Sequence, residues 1–190
     1  MSLVSVLARE NFITVVSDGL VVNLETGEEI HQSYKKFRKI SEKQFVAFGG
    51  NQGLGERVVE VLGYQESERD LLECAKKIRG DLINEIPIEK ASCQVVLGGV
   101  EKGSIVFYAF NNNHNQDLLI KRPTNHILEY TFLSSRNSSI NLDEIIQRIG
   151  NRIGYNTPTK TIKIQKQLND EVAKTDPSVN KITFNLTIRK

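Results

Sequence analysis

Ser2-Leu3-Val4-Ser5-Val6-Leu7-Ala8-Arg9 and, beyond a turn at Asn11, Phe12-Ile13-Thr14-Val15-Val16-Ser17 decide the fold of this chain. Both runs are rich in β-branched and aliphatic residues and are bounded by polar turn residues, the pattern of two strands in a hairpin. Asp18-Gly19 closes the second run with turn chemistry. Working outward, residues 20–24 and 28–31 read as a small hairpin around Thr26-Gly27, and residues 37–40 and 44–48 as a further pair around Ser41-Glu42-Lys43. The opening of the chain is therefore mostly antiparallel β.

The period then changes. Leu54, Val58, Val59, Val61 and Leu62 approximate helical spacing, and so do Leu71, Leu72, Ala75, Ile78, Leu82 and Ile83. Ser67 is a candidate N-cap for the second of these helices, and Pro87 lies just beyond its end. A second β block covers residues 92–100, 104–110, 118–121 and 127–133. Two more helices follow, over 142–153 and about 161–174, and residues 181–189 alternate as a last strand. Strand blocks alternating with helix pairs predict an α/β (α+β) chain of four layers, αββα, with two antiparallel sheets flanked by helix pairs. No repeat, low-complexity tract or linker divides it, so one domain over residues 1–190 is expected.

Composition excludes several functions. A net charge of +2 gives no footprint for nucleic acid or an acidic membrane surface. Lys35, Lys36, Arg38 and Lys39 form the one basic cluster and read mainly as a strand edge. Strand alternation nevertheless sets Lys36 on the face opposite Phe37, which belongs in a core. No apolar run approaches the roughly 18 residues of a membrane span, and no signal peptide is seen, so the expected compartment is the cytoplasm. Cys74 and Cys93 lack CxxC spacing and read as buried free thiols. His31, His114 and His126 fall in no metal-binding pattern, so neither metal nor cofactor is expected.

A serine at the head of a chain is a nucleophile whose own α-amine, with an ordinary pKa of about 7.7–8.0, serves as its base. Removal of Met1 would place Ser2 there, at the head of a strand. Asp18 lies sixteen residues after Ser2, at the end of the strand that pairs with the first. Lys36 enters a later strand, and Gly49-Gly50 ends a strand just before a helix. A carboxylate–ammonium pair would lower the pKa of the amine and hydroxyl. A backbone N–H at Gly50 would meet a developing oxyanion.

Together these features resemble the proteasome β-subunit family of N-terminal-nucleophile (Ntn) hydrolases, including its bacterial ATPase-partnered relatives. That family opens on Thr or Ser, continues with a strand ending in Asp and a Lys-apolar-x-x-Ile segment, and then turns through small residues into a helix. Ser2, Asp18, the segment Lys36-Phe37-Arg38-Lys39-Ile40 and Gly50 fall in those places. The order of elements resembles the family's sandwich along the whole chain. Asp176-Pro177-Ser178 falls where the family keeps an Asp and a Ser that support the nucleophile, and Ser134 falls roughly where it has a Gly-Ser-Gly turn. The resemblance implies catalytic roles for Ser2, Asp18, Lys36, Gly50, Ser134 and Asp176, and a first specificity pocket lined and narrowed by Phe48. It also implies a peptide or amide substrate, a homo-oligomeric ring and an ATPase partner.

The chain departs from the family in several places. Ser2 stands for the usual Thr, no Arg follows two residues after Asp18, and Leu133-Ser134-Ser135-Arg136 replaces the glycine-flanked serine turn. If Met1 stays attached, the amine of Ser2 is an amide and cannot be a base. Met1-Ser2-Leu3 also matches a leader left by expression vectors, in which case the native chain begins near Val4 and has no nucleophile. Two readings therefore stand: a peptidase or amide hydrolase, and a catalytically silent scaffold or interaction protein on the same fold.

Overall fold

The computed structural model describes residues 3–23, 26–124, 127–134 and 140–190. Met1, Ser2, Leu24, His126, Ser135 and Arg136, all named in the sequence reading, lie outside the described residues.

The first hairpin forms as its composition dictates. β1 (Val4–Arg9) pairs antiparallel with β2 (Phe12–Asp18), with Val4 opposite Ser17 and Arg9 opposite Phe12. β10 (Glu129–Leu133) pairs with the other edge of β1, and β11 (Thr183–Arg189) with the other edge of β2, giving the order β10-β1-β2-β11. β2 is thus internal and buried along its whole length, and Asp18 ends it opposite Thr183. A second antiparallel sheet runs β5 (Phe37–Ser41), β6 (Gln44–Gly50), β7 (Cys93–Glu101), β8 (Ser104–Asn111) and β9 (Leu119–Lys121) in that order. The small hairpin expected after Asp18 is a third sheet, β3 (Val21–Val22) with β4 (Glu29–His31).

Period-2 alternation sends the two faces of each large sheet into different cores. Val4, Val6, Ile13 and Val15 from one sheet meet Phe37, Phe45, Val96 and Phe107 from the other in a shared apolar cluster. The outer face of the five-stranded sheet carries Val46, Val95, Leu97 and Tyr108. These pack under α1 (Gln52–Leu62) and α2 (Leu71–Glu85). Leu3 and Leu7 pack under α3 (Leu142–Ile153) and α4 (Pro158–Val172). The described residues therefore form four helices and eleven strands in three antiparallel sheets.

Two helix starts differ from the sequence reading. α2 begins at Leu71 with Asp70, not Ser67, as its cap; Asp70 Oδ1 accepts from the N–H of Glu73 at 3.1 Å. The buried Glu101 carboxylate also accepts the Leu71 N–H at 2.8 Å, and it is held by the hydroxyl of Tyr108 at 2.8 Å and by Arg122 at 3.2 Å. An acceptor thirty residues distant in sequence thus helps set the start of α2. α4 begins at Pro158, whose missing N–H costs nothing at a first turn, and Thr157 caps it.

The two cysteines are free thiols, but only Cys93 is buried; Cys74 is half-buried. Burial pushes the Cys93 thiol up to about 12. A thiol with its folded pKa raised contributes stability that is complete below its unfolded pKa, ordinarily 9.0, and lost as pH rises toward 12. Iodoacetamide at pH 8 is accordingly expected to alkylate Cys74 and spare Cys93 until the chain unfolds, as read by peptide mass. Equal alkylation of both in the folded protein would contradict the buried placement of Cys93.

Candidate active site

The pattern that ends β2 in Asp18 and opens β5 after Lys36 brings the two side chains together. Lys36 Nζ donates to Asp18 Oδ1 at 2.6 Å and to the Leu20 carbonyl at 2.7 Å. The Leu3 N–H donates to the same Asp18 oxygen at 2.7 Å, and the Leu20 N–H to Asp18 Oδ2 at 2.9 Å. Lys36 is 2% exposed and Asp18 0%. Lys36 is therefore not the solvated strand-edge charge that its cluster suggested. β5 is an edge strand, and Lys39 does lie exposed on it, but Lys36 turns inward onto the carboxylate.

Burial pulls the Lys36 ammonium below the usual lysine range, and Asp18 opposes that shift by its charge and hydrogen bond. Burial likewise pushes the Asp18 carboxyl up, against Lys36 and the amides of Leu3 and Leu20. Three N–H donors on one carboxylate, at 2.6–2.9 Å, are the environment of the ionised form. The geometry is that of a charged pair.

Gly50 ends β6, and Asn51 caps α1 by accepting the Leu54 N–H at 3.1 Å. Gly50 has φ +88°, and a Cβ there would stand 2.2 Å from the Ser92 carbonyl oxygen, so both conformation and space require glycine. The Phe48 N–H donates to the Lys36 carbonyl at 3.0 Å. With Phe37 opposite Ala47, Lys36 stands opposite Phe48 on one face. At Gly50 the left-handed backbone breaks the alternation of β6, and the place of its absent Cβ is toward the Ser92 carbonyl and not along the face of Phe48.

The other two described residues from the sequence reading are Ser134 and Asp176. Ser134 directly follows β10, where the register continues past the Val4–Leu133 pair toward Leu3, and its carbonyl accepts from Gln94 Nε2 at 3.0 Å. Asp176, in the loop before β11, accepts from the N–H of Ser178 at 2.9 Å and from its hydroxyl. Among the described residues no hydrogen bond joins Ser134 or Asp176 to Asp18 or Lys36. Asn180 is the residue that sequence reading missed. Its Oδ1 accepts the Gly19 N–H at 3.1 Å and its Nδ2 donates to the Gln32 carbonyl at 2.8 Å. Its own carbonyl accepts from Asn169 at 2.7 Å. It ties the loop before β11 to the turn after Asp18, and no local signal marks it. Among the described residues no group of three or more His, Cys, Asp or Glu side chains is placed to hold a metal ion, and no helix is long and apolar enough to cross a membrane.

No family model matches the chain, and no curated protein matches it in sequence. Solved structures do match, 408 chains in number. Among them, eukaryotic HslV from Trypanosoma brucei superposes with a TM-score of 0.68 over 99% of this chain and 99% of that one, at 11% identity. The chain thus has the fold of HslV, the proteasome-like Ntn fold that its order of elements resembled. At that identity the likeness concerns the fold alone.

Proposed function

We propose that this chain is a proteasome-like N-terminal serine peptidase or amide hydrolase. It is one cytoplasmic domain in a four-layer αββα arrangement. The observation that carries the reading is the Leu3–Asp18–Lys36 contact: Leu3, bonded to Ser2 in the chain, donates its N–H to the carboxylate oxygen that also takes Lys36. A buried ion pair is close to break-even for stability against an apolar pair of the same volume. Packing alone therefore gives little reason to keep a lysine and an aspartate there, whereas an N-terminal nucleophile needs a positive charge beside it.

In this reading Met1 is removed and the free α-amine of Ser2 takes the proton from the Ser2 hydroxyl as its oxygen attacks a carbonyl. The Gly50 N–H receives the oxyanion. The amine then protonates the departing amine of the substrate, leaving an ester on Ser2, and water activated by the same amine hydrolyses that ester. The Asp18–Lys36 pair holds the site's electrostatics, with Ser134 and Asp176 assigned to support the amine. Assembly into a homo-oligomer and service to an ATPase partner belong to the same proposal.

A peptide epoxyketone reacts only where a free amine and a hydroxyl share one residue. Protein lacking Met1 is expected to gain one inhibitor mass on Ser2, and Ser2→Ala none. Absence of any adduct on the Met1-free chain would overturn the hydrolase reading.

A scaffold role without catalysis is the second reading. The replacement of the glycine-flanked serine turn by Leu133-Ser134-Ser135-Arg136 favours it. Intact mass of the protein from its native host discriminates: retained Met1 supports the scaffold, a free Ser2 amine the hydrolase.

A further inference from the structure

Two exposed patches of opposite charge lie on the helices, and the proposed chemistry uses neither. Residues 145–169 hold five cations, Arg148, Arg152, Lys160, Lys163 and Lys166, and no carboxylate. All but Lys166 are exposed, and among the described residues none of the five forms an ion pair. Glu171, a carboxylate that feels Arg148 and Arg152, is bonded instead to Lys174 at 3.0 Å. Arg148 and Arg152 are one turn apart on α3, and Lys160 and Lys163 one turn apart on α4. Arg152 also donates to Gln167 Oε1 at 3.0 Å, and Gln167 is one turn beyond Lys163, so the four cations share one outer surface.

The second patch covers the end of α1 and the turn that leads to α2. Residues 58–68 hold Glu60, Glu66 and Glu68 and no cation. All three are exposed, and among the described residues none is ion-paired. Arg69, the next cation along the chain, turns onto the Leu62 and Gly63 carbonyls. Beside the carboxylates stand Val61 and Tyr64, at 60% and 58% the most exposed large apolar side chains among the described residues. An apolar centre with a polar rim is the make-up of a protein interface.

Both patches run against the local electrostatics. Glu60 sits in the last turn of α1, at the negative end of the helix dipole, where no basic residue accompanies it. Lys160 sits in the first turn of α4, at the positive end, with no acidic residue beside it. Each arrangement weakens its own helix and raises the potential that the patch projects outward.

α1 and α2 cover the five-stranded sheet, α3 and α4 the four-stranded one, and the core shared by the two sheets lies between them. The patches therefore cannot meet within one molecule. We propose that they meet between molecules: the face of Arg148, Arg152, Lys160 and Lys163 docks on the Glu60, Glu66 and Glu68 patch of a second copy of this chain. The aliphatic stems of the cations cover Val61 and Tyr64 while their heads pair with the carboxylates. Such a contact is head-to-tail. Each docked copy still offers a free patch, so copies add in series unless the rotation between them closes a ring. The inference does not depend on whether Ser2 reacts.

The test is sedimentation velocity of the full-length chain. Wild type at about 0.1 M NaCl is expected to form a larger species than at about 1 M, where the Debye length falls from about 10 Å to about 3 Å. Lys160→Glu with Lys163→Glu, and separately Glu66→Lys with Glu68→Lys, are each expected to weaken that association at least about a hundredfold, since each sets like charges face to face. An equimolar mixture of the two double variants is expected to recover it, because every face then has its complement; recovery also shows that both variants are folded. Wild type that sediments alike at both salt concentrations would overturn the inference, and so would a mixture no larger than its components. A larger species that carries the 260 nm absorbance of nucleic acid would overturn it as well, since the basic face would then hold a polyanion.

Discussion

Lys36→Ala is expected to destabilise the fold by about 3–5 kcal/mol, the cost of leaving a buried charge without its partner. Asp18 is 0% exposed, so its carboxylate loses its counter-charge while still buried. The amides of Leu3 and Leu20 still donate to the carboxylate and set the loss toward the lower end of that range. Asp18→Asn in the same background removes the stranded charge and is expected to recover part of the loss, which would identify the coupling as electrostatic rather than volumetric. Urea unfolding of the two single variants and the double variant, followed by far-ultraviolet circular dichroism, closes the cycle. A loss below about 1 kcal/mol, the scale of an exposed pair, would show the site open to solvent and withdraw the electrostatic basis of the proposed mechanism.

Phe45→Ala is expected to cost about 3–5 kcal/mol, the range for emptying a fully buried aromatic site. Phe45, 0% exposed, lies opposite Gly98 on β7, and Gly98 lies opposite Phe107 on β8. The missing side chain at 98 is what leaves room for the Phe45 ring between the strands, since a Cβ there would stand 2.9 Å from that ring and 3.0 Å from Phe107 Cβ. The gap between the two large sheets would stay open, and the unfolding midpoint in urea would fall with little change in slope. A cost near 1 kcal/mol would mean that the sheets close up on the space.

Most of the architecture is legible in local patterns. The β1–β2 hairpin follows from two aliphatic runs about a turn, and β7–β8 from Glu101-Lys102-Gly103 between two more. α4 was readable too, because Thr157-Pro158 is a cap followed by a proline at the first helical position; the apolar stripe drew the expected start inward to about residue 161. The start of α2 was not readable, because Glu101 helps select it from another strand. The pairing of Asp18 with Lys36 was expected from their order, but the burial of Lys36 was hidden by Lys35, Arg38 and Lys39 around it. Three exposed or half-exposed neighbours disguise one inward residue whenever a strand enters a sheet at its edge. Tyr34, Gln52 and Glu56 meet only because β6 delivers α1 beside the segment before β5, and Asn180 reaches Gly19 across the whole chain. Side-chain contacts of that span have no periodicity from which to be read.

The pairing of Thr183 with Asp18 has a consequence for the newly made polypeptide. While residues 183–189 are still inside the ribosome, β2 has a bare flank and Asn180 has yet to tether Gly19. The edge of β2 that ends at Asp18 is therefore closed only once β11 has been made and has paired with it.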